Sequence, residues 1–276
     1  MQTLISTPII SRVNAESKRL AGSGREPHLA VVLIGEDPES LRYVELKTKR
    51  AKELGILLST YHLPVHTPYR EIMASVSFLA DDPEVHGIII QLPLPEAISK
   101  EQTAALIELI PASKDVDGLR DEWIPTGDSP RTTGELLAYT GNPLPPMVCG
   151  VLCLFDEYAI ETSGKKIVIV GDGRLVGKPL AKYFKHLGYD VTVVTIETDR
   201  IFDLTRQADI LISGTGQPDL ITYQWVKEGV VVINCAADVH EDSVFQVAAA
   251  ATPAAGAIGP LTVSWLLHNV ARRAHG

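Results

Sequence analysis

Lys47 is the residue of this sequence whose position most clearly raises the question of chemistry. The segment 38–54 has the periodicity of an amphipathic helix, and Lys47 falls beside its apolar stripe, with Tyr43 one turn earlier. The stripe itself is formed by Leu41, Val44 and Ala51. An ammonium group beside a buried face needs a partner or a task, because burying an unpaired charge is costly. The alternative, which this helix alone favours, is that the Lys47 stem follows the apolar face and its amine reaches water.

A glycine-rich turn is the second chemical feature. Residues 166–179 read KIVIVGDGRLVGKP, so an apolar strand runs into Gly171, Gly173 and Gly177 in the spacing G-x-G-x-x-x-G. The spacing is one residue longer than the usual dinucleotide fingerprint. Glycines there let backbone N–H groups approach a pyrophosphate at a helix N-terminus, so the pattern favours nucleotide binding. A structural turn without a ligand is the alternative.

Charges near this turn bear on which nucleotide would bind. Glu197 follows the next predicted strand, where an acidic residue often binds a ribose 2′-hydroxyl. Asp172 and Glu197 would repel a 2′-phosphate, which favours NAD over NADP. Three basic residues could counter this effect, namely Arg174, Lys178 and Arg200. Alternatively, Glu197 is a solvated loop carboxylate, as most carboxylates are.

Three more segments place polar or small residues at the ends of predicted elements. Residues 91–95 (QLPLP) put Gln91 at the carboxyl end of a strand, where ligands bind in open α/β sheets. Residues 114–118 (KDVDG) hold two carboxylates that could bind a ligand or simply brace a turn. Residues 256–260 (GAIGP) precede the last helix, and small residues there would let the backbone approach a ligand.

The elements that must position these residues alternate between strands and helices. Apolar, β-branched runs predict strands at His28–Gly35, Leu57–Leu63, Gly87–Gln91, Lys166–Gly171, Asp190–Ile196, Asp209–Gly214 and Val230–Asn234. Helical periodicity predicts helices near 8–21, 38–54, 70–80, 100–109, 148–160, 175–187, 222–227 and 260–273. Continuously apolar strands between helices are typical of an α/β fold with parallel sheets covered on both faces.

The pattern divides into two α/β halves. Residues 119–147 are rich in Gly, Pro, Thr and Asp without clear periodicity, so they are interpreted as a linker or a long surface excursion. We expect an N-terminal three-layer α/β domain over residues 1–140 and a Rossmann-like parallel sheet over residues 141–259. The C-terminal helix, 260–276, is expected to pack back on the first domain.

Bulk properties exclude several classes of protein. The net charge of -9 argues against nucleic acid or an anionic membrane surface as the main partner. The three cysteines match no zinc spacing and are predicted to be reduced, buried thiols, so no metal site is predicted. The sequence holds neither an apolar run long enough to span a membrane nor a signal peptide. A cytoplasmic protein is therefore expected.

The motifs together resemble the methylenetetrahydrofolate dehydrogenase/cyclohydrolase family, over nearly the whole chain. Tyr43-x-x-x-Lys47, the segments 91–95 and 114–118, the Gly171 turn and Thr252-Pro253 followed by Gly259-Pro260 occur in the order seen in that family. The resemblance implies two α/β domains around a cleft, NAD(P) bound on the C-terminal domain, and a homodimer.

The resemblance also implies the reaction. The substrate would be 5,10-methylenetetrahydrofolate, whose one-carbon unit passes a hydride to NAD or to NADP, the usual cofactor of the family. Water would then open the cationic methenyl bridge and give 10-formyltetrahydrofolate. By resemblance, Lys47 is the central catalytic residue and Gln91 orients it. Tyr43 would stack on the folate, and Asp117 would hold the pterin ring.

The same resemblance assigns the remaining site residues. Besides these four catalytic residues, which also bind substrate, Gly259 and Pro260 are expected to contact the folate. The residues expected to bind the cofactor are Gly171, Asp172, Gly173, Arg174, Gly177, Glu197, Gly216 and Ala237.

The nucleotide side departs from the usual family motifs. The familiar G-R-S or G-A-S turn is Gly-Asp-Gly at 171–173, and the usual D-V-G-I-N is N-C-A-A-D at 234–238. The P-C-T-P-x-G motif is also altered, to PPMVCG at 145–150. Three alternatives therefore stay open: a monofunctional NAD-dependent dehydrogenase, a folate-binding paralogue without turnover, and an unrelated Rossmann dehydrogenase for a small acid.

Overall fold

A computed structural model describes residues 1–120 and 129–275, and these fall into two compact units. One unit contains residues 12–125, 140–146 and 263–276, and the other contains 1–11, 126–139 and 147–262. Helices and strands match the sequence prediction closely, which confirms the α/β class. The predicted domain boundaries at 140 and 260 stay a prediction.

The first unit is a three-stranded parallel sheet between helices. Its strands are β2 (His28–Ile34), β3 (Leu57–Leu63) and β4 (Gly87–Ile90), in the order β3-β2-β4. Its main helices are α2 (Pro38–Leu54), α3 (Tyr69–Asp81) and α4 (Lys100–Glu108).

Strand β2 shows why this sheet is apolar on both faces. Successive side chains of a strand point to opposite faces, so Leu29, Val31 and Leu33 pack in one core cluster. Residues Ala30, Val32 and Ile34 pack in another. The first cluster includes side chains of α2 and of the last helix, α10 (Ile258–His275), and the second includes α3 and α4. The carboxyl ends of these strands are thereby fixed from both sides.

The second unit is a six-stranded parallel sheet. Its order is β1-β9-β8-β7-β5-β6, and every pair is parallel. The strands are β1 (Gln2–Thr3), β5 (Lys166–Val170), β6 (Asp190–Val194), β7 (Ile210–Ser213), β8 (Val231–Asn234) and β9 (Ala250–Ala251). Its helices are α5 (Thr133–Ala138), α6 (Pro146–Glu157), α7 (Gly177–His186), α8 (Ile201–Thr205) and α9 (Glu241–Val244). The helix α1 (Thr7–Ala21) begins in this unit, and its residues from 12 onwards belong to the first.

The differences from the sequence prediction are local. The short elements β1, β9, α5, α8 and α9 were not predicted, because two to six residues carry too little periodicity. The predicted helix 222–227 is only a 3-10 helix, Tyr223–Trp225, and the last helix begins two residues earlier than predicted. The predicted linker 119–147 contains α5, while its residues 121–128 lie outside the described part of the chain.

Two predictions about burial were partly wrong. Leu41 of the predicted apolar stripe is exposed, and its neighbour Ser40 is buried. In the first turn of α2, the buried face of the helix therefore lies to one side of the predicted stripe. Cys149 and Cys153 are buried and form no disulfide, as predicted, whereas Cys235 is partly exposed. Within the described ranges, no helix is long and apolar enough to cross a membrane.

Candidate active site

Lys47 is held on a helix with well-defined ends. The Asp37 carboxylate accepts the Ser40 N–H at the start of α2, and Gly55 ends the helix with a φ of 74°. The Lys47 amine donates a hydrogen bond of 2.7 Å to Oε1 of Gln91. Lys47 therefore has a specific partner 44 residues away, and the interpretation in which it merely reaches water along its stem was wrong.

Gln91 is fixed at the carboxyl end of β4. Its backbone N–H continues the sheet by donating to the Val32 carbonyl, and its side chain is buried. Its Nε2 donates to the Leu92 carbonyl at 2.8 Å. Because that carbonyl takes the amide N–H₂, the amide oxygen must face the Lys47 amine. The strand thus sets both the place and the orientation of the acceptor.

The two carboxylates of 114–118 have different tasks. Asp115 is buried and accepts the backbone N–H groups of Leu119 and Arg120, so it braces the turn. Lys114 anchors the segment by donating to the Ala80 and Asp82 carbonyls at the end of α3. The bracing alternative is thus confirmed for Asp115.

Asp117 instead interacts electrostatically with Lys47, and each shifts the other's titration. Burial lowers the pKa of Lys47, an effect that the negative charge of Asp117 opposes. Burial likewise raises the pKa of Asp117 to about 6, opposed by Lys47 and reinforced by Asp115. Burial therefore favours the neutral form of both groups, the Lys47 amine and the Asp117 carboxyl. A carboxyl with a pKa of about 6, beside an amine whose pKa is lowered, can exchange protons with a bound ligand.

The other predicted folate contacts are two residues at a helix start and one aromatic ring. Tyr43 lies one turn before Lys47 and is 49% exposed, so its ring is free to stack. Gly259 and Pro260 lie in the first turn of α10, and a Cβ on Gly259 would meet no atom within 4 Å. Tyr43, Lys47, Gln91 and Asp117 belong to the first unit, and Gly259 and Pro260 to the second.

The glycine loop, residues 171–177, is tightly packed at two of its three glycines. Gly171 has a φ of 97°, and a Cβ there would lie 3.0 Å from the Gly214 oxygen. A Cβ on Gly177 would overlap the Gly171 carbonyl oxygen. Packing therefore requires both to be glycine.

Gly173 is different, because a Cβ there would come no closer than 3.9 Å to another residue, and its φ is not left-handed. Protein contacts do not require a glycine at this position. The lack of a side chain leaves open space just before α7, whose N-terminus attracts anions. The loop therefore fits a nucleotide pyrophosphate at Gly173.

The acidic residues predicted near the nucleotide are exposed. Glu197 lies in a turn after β6, in which Thr195 donates its N–H to the Thr198 hydroxyl. Asp172 is exposed in the glycine loop. Arg200, one of the basic counterweights, forms an ion pair of 2.6 Å with Asp203.

Gly216 and Ala237 lie near a residue that sequence reasoning missed. Both have left-handed backbones, with φ of 71° and 57°. The N–H of Gly216 donates to the carboxylate of Asp238, which is fully buried and also accepts from Thr215 and Ser213. Asp238 could have been found from the sequence as an acidic residue just after the predicted strand Val230–Asn234.

The arrangement supports two kinds of chemistry. An amine whose pKa is lowered, beside a carboxyl, can transfer protons or activate water, and a glycine loop before a helix can bind a nucleotide. In the part of the chain that the structure describes, no group of three or more His, Cys, Asp or Glu side chains could hold a metal ion. Acid–base chemistry with a nucleotide cofactor fits these residues.

The sequence and the fold of this chain are similar to those of known proteins. The family model described as "Tetrahydrofolate dehydrogenase/cyclohydrolase, catalytic domain" matches residues 2–117, and "Tetrahydrofolate dehydrogenase/cyclohydrolase, NAD(P)-binding domain" matches residues 145–276. "Bifunctional protein FolD" of Geotalea uraniireducens is 37% identical over 277 residues, covering 96% of this chain and 94% of that protein.

Solved structures agree over nearly the full length. The bifunctional enzyme FolD, methylenetetrahydrofolate dehydrogenase/cyclohydrolase, from Campylobacter jejuni has a TM-score of 0.85 at 34% identity, covering 99% of this chain and 98% of that one. The Trypanosoma brucei enzyme, solved with NADP and an inhibitor, has a TM-score of 0.84 at 28% identity, with 98% and 96% covered. The chain belongs to the tetrahydrofolate dehydrogenase/cyclohydrolase family.

Proposed function

We propose that this protein oxidises 5,10-methylenetetrahydrofolate with NAD(P)+ and hydrolyses the methenyl product to 10-formyltetrahydrofolate. The observation that carries the proposal is the 2.7 Å hydrogen bond from Lys47 to Gln91, with Asp117 acting electrostatically on the same amine. Relatives named "Bifunctional protein FolD", and a solved structure named for both activities, cover at least 96% of this chain. The geometry at Lys47 and the similarity to these relatives thus both support a catalytic lysine.

Lys47 is assigned the proton transfers of the hydrolysis. Burial lowers the pKa of its amine, and a cationic methenyl substrate would lower it further. A neutral amine that donates one N–H to Gln91 keeps a lone pair for another proton. We assign that lone pair to the attacking water, and the ammonium so formed returns the proton to the folate nitrogen that leaves. The remaining hydroxyl proton of the adduct goes to solvent as the formyl C=O forms.

Asp117 and Tyr43 are assigned to folate binding. An ionised carboxylate accepts N–H groups of a pterin strongly, because charge-assisted hydrogen bonds are the stronger ones. With a pKa of about 6, Asp117 is largely ionised at neutral pH. The half-exposed ring of Tyr43 offers a stacking surface one helical turn from the Lys47 amine.

The second unit is assigned to the cofactor, which when bound accepts the hydride. Gly173 leaves room for the pyrophosphate, and Gly171 and Gly177 keep the loop in shape. We propose that NAD is preferred over NADP. Glu197 and Asp172 are exposed carboxylates that would repel a 2′-phosphate, and Arg200 is already paired with Asp203.

The remaining proposals concern organisation and surroundings. We assign folate binding to residues 1–140 together with 260–276, and cofactor binding to residues 141–259. A homodimer in the cytoplasm is proposed on the family resemblance. Analytical ultracentrifugation of the purified protein tests the dimer, and a monomer at micromolar concentration would contradict it.

The deciding experiment measures both steps on one preparation. The protein is mixed with methylenetetrahydrofolate and either NAD or NADP, and near-UV absorbance follows reduced cofactor and methenyl product. Hydrolysis is followed separately by adding methenyltetrahydrofolate without cofactor. Both activities, with a higher kcat/KM for NAD, are expected. Hydride transfer without hydrolysis would indicate a monofunctional dehydrogenase. Folate binding with neither activity would indicate a binding protein without turnover.

A further inference from the structure

Asp238 is a buried carboxylate for which the proposed reaction has no use. It follows β8 and is fully buried. Its Oδ2 accepts the Thr215 N–H at 2.7 Å and the Ser213 hydroxyl, and its Oδ1 accepts the Gly216 N–H at 2.8 Å. Its own N–H donates to the Asn234 side chain at 2.9 Å. Both carboxylate oxygens and the backbone N–H of Asp238 are therefore engaged.

The groups that Asp238 binds belong to one short segment. Residues 214–216, the β7 turn, leave the carboxyl end of β7. Gly214 still donates its N–H to the Val170 carbonyl of β5, whereas the N–H groups of Thr215 and Gly216 donate to Asp238. Both hydrogen bonds are partly buried, so an N–H left there without an acceptor would be costly, and a carboxylate is the strongest acceptor among side chains. Because two adjacent N–H groups donate to one carboxylate, Asp238 fixes the backbone conformation of the β7 turn.

The β7 turn in turn packs against the glycine loop. A Cβ on Gly171 would lie 3.0 Å from the Gly214 oxygen and 3.2 Å from the Thr215 methyl carbon. A Cβ on Gly214 would overlap the side chain of Val176. The two segments thus touch at both ends of the loop, and a displaced β7 turn would displace the loop.

We propose that Asp238 is a positioning residue for the cofactor site. It holds the β7 turn through two backbone N–H groups, and the β7 turn holds the glycine loop in the shape that accepts the pyrophosphate of NAD(P). Asp238 need not touch the cofactor. This inference rests on the proposed function of the second unit.

Asp238→Asn is the sharpest test. An amide has one oxygen in place of two, so at least one of the N–H groups of Thr215 and Gly216 would face a donor or remain unpaired. The matched control is Asp209→Asn, at the amino end of β7, opposite the end from which the β7 turn leaves. Asp209 accepts the Lys166 N–H at 2.8 Å and the Lys227 amine at 2.7 Å.

The readouts separate positioning from general stability. Asp238→Asn is expected to raise KM and Kd for the cofactor about tenfold, the effect of losing one charge-assisted hydrogen bond. Hydrolysis of methenyltetrahydrofolate, which needs no cofactor, should stay unchanged, and kcat at saturating cofactor should stay within about twofold. Asp209→Asn should change neither cofactor constant.

Several outcomes would overturn the proposal. Equal cofactor Kd values for the two variants would do so, as would a loss of hydrolysis with the Kd unchanged. If Asp238→Asn does not fold, Ser213→Ala replaces it, because that change removes one donor to the same carboxylate. About a threefold rise in Kd is then expected, and an unchanged Kd would overturn the proposal.

Measurements on the unaltered protein separate the proposed function from the role of Asp238. Cofactor binding without hydride transfer would remove the redox step from the proposed function, while the Kd values of the variants would still decide the role of Asp238. Absence of cofactor binding to the unaltered protein would overturn both.

Discussion

The two compact units prepare their sites by opposite means. In the first unit, the site consists of functional side chains, namely Lys47, Gln91 and Asp117, and burial favours the neutral forms of Lys47 and Asp117. In the second, the site consists of backbone, and the important property of Gly173 is the absence of a side chain. The first is damaged by removing a functional group, and the second by adding atoms.

This contrast explains where the sequence departs from the usual family motifs. A catalytic amine cannot be replaced, because other side chains do not titrate in the same way. A backbone turn tolerates new side chains wherever they point to solvent or find new partners. Asp172 is exposed in the altered glycine loop, and Asp238 of the altered segment 234–238 binds the β7 turn. The altered motifs therefore keep a shape that fits a nucleotide.

The largest expected effect is that of Lys47→Met, which keeps the apolar stem and removes the amine. Hydrolysis of methenyltetrahydrofolate should fall by roughly a thousandfold, the contribution of a positioned acid–base group. Lys49→Met, an exposed change on the same helix, should leave the rate unchanged. Initial rates from methenyl absorbance measure both. A Lys47→Met protein that hydrolyses normally would remove Lys47 from the reaction.

The corresponding change in the second unit adds a side chain to the open glycine. Gly173→Val should raise the Kd for the cofactor by roughly tenfold to a hundredfold, because its methyl groups occupy the proposed pyrophosphate site. The melting temperature should not fall, since a Cβ there meets no close neighbour. Gly134→Val, at another open glycine, is the control. Unchanged cofactor binding would place the nucleotide elsewhere.

A smaller effect is expected from Asp117→Asn, which keeps the shape and removes the charge. The Kd for folate should rise about tenfold, because a charge-assisted hydrogen bond becomes a neutral one. Cofactor binding should not change. Fluorescence titration with a folate and with NAD measures the two constants. An unchanged folate Kd would show that Asp117 does not bind the substrate.

The smallest effect concerns stability and pH. Because the pKa of Asp117 is raised to about 6 from 3.8, the folded protein keeps a proton that the unfolded chain releases. The free energy of unfolding should therefore fall as pH rises from about 4 to about 6, by on the order of 1 kcal/mol. Urea unfolding measures this, and Asp117→Asn should lack the fall. Identical pH profiles would contradict the raised pKa.

The same titration connects Lys47 with Asp117. The positive charge of Lys47 lowers the pKa of Asp117, so Lys47→Met should move the fall in stability to higher pH. Lys49→Met again serves as the control on the same helix. A profile unmoved by Lys47→Met would show that the two charges do not interact.

Much of the fold could be predicted because its strands are long and apolar. Strand β3 begins and ends where the sequence predicted, and β2 differs by one residue. The short elements could not be predicted, since strands such as β9 exist only through pairing with distant segments. Leu41 was misplaced because a wheel describes one helix without the neighbours that decide which face is covered.

By itself, the sequence determined that Lys47 sits beside an apolar face and that a strand runs into a glycine-rich turn, since both are local patterns of period and residue type. Only the tertiary structure decided that Lys47 meets Gln91, that Asp115 braces while Asp117 faces the amine, and that Gly173 alone of the three loop glycines is open. It also decided that Asp238 holds a turn 22 residues earlier in the chain. These facts depend on atoms far apart in sequence, whose distances are set by the packing of whole sheets.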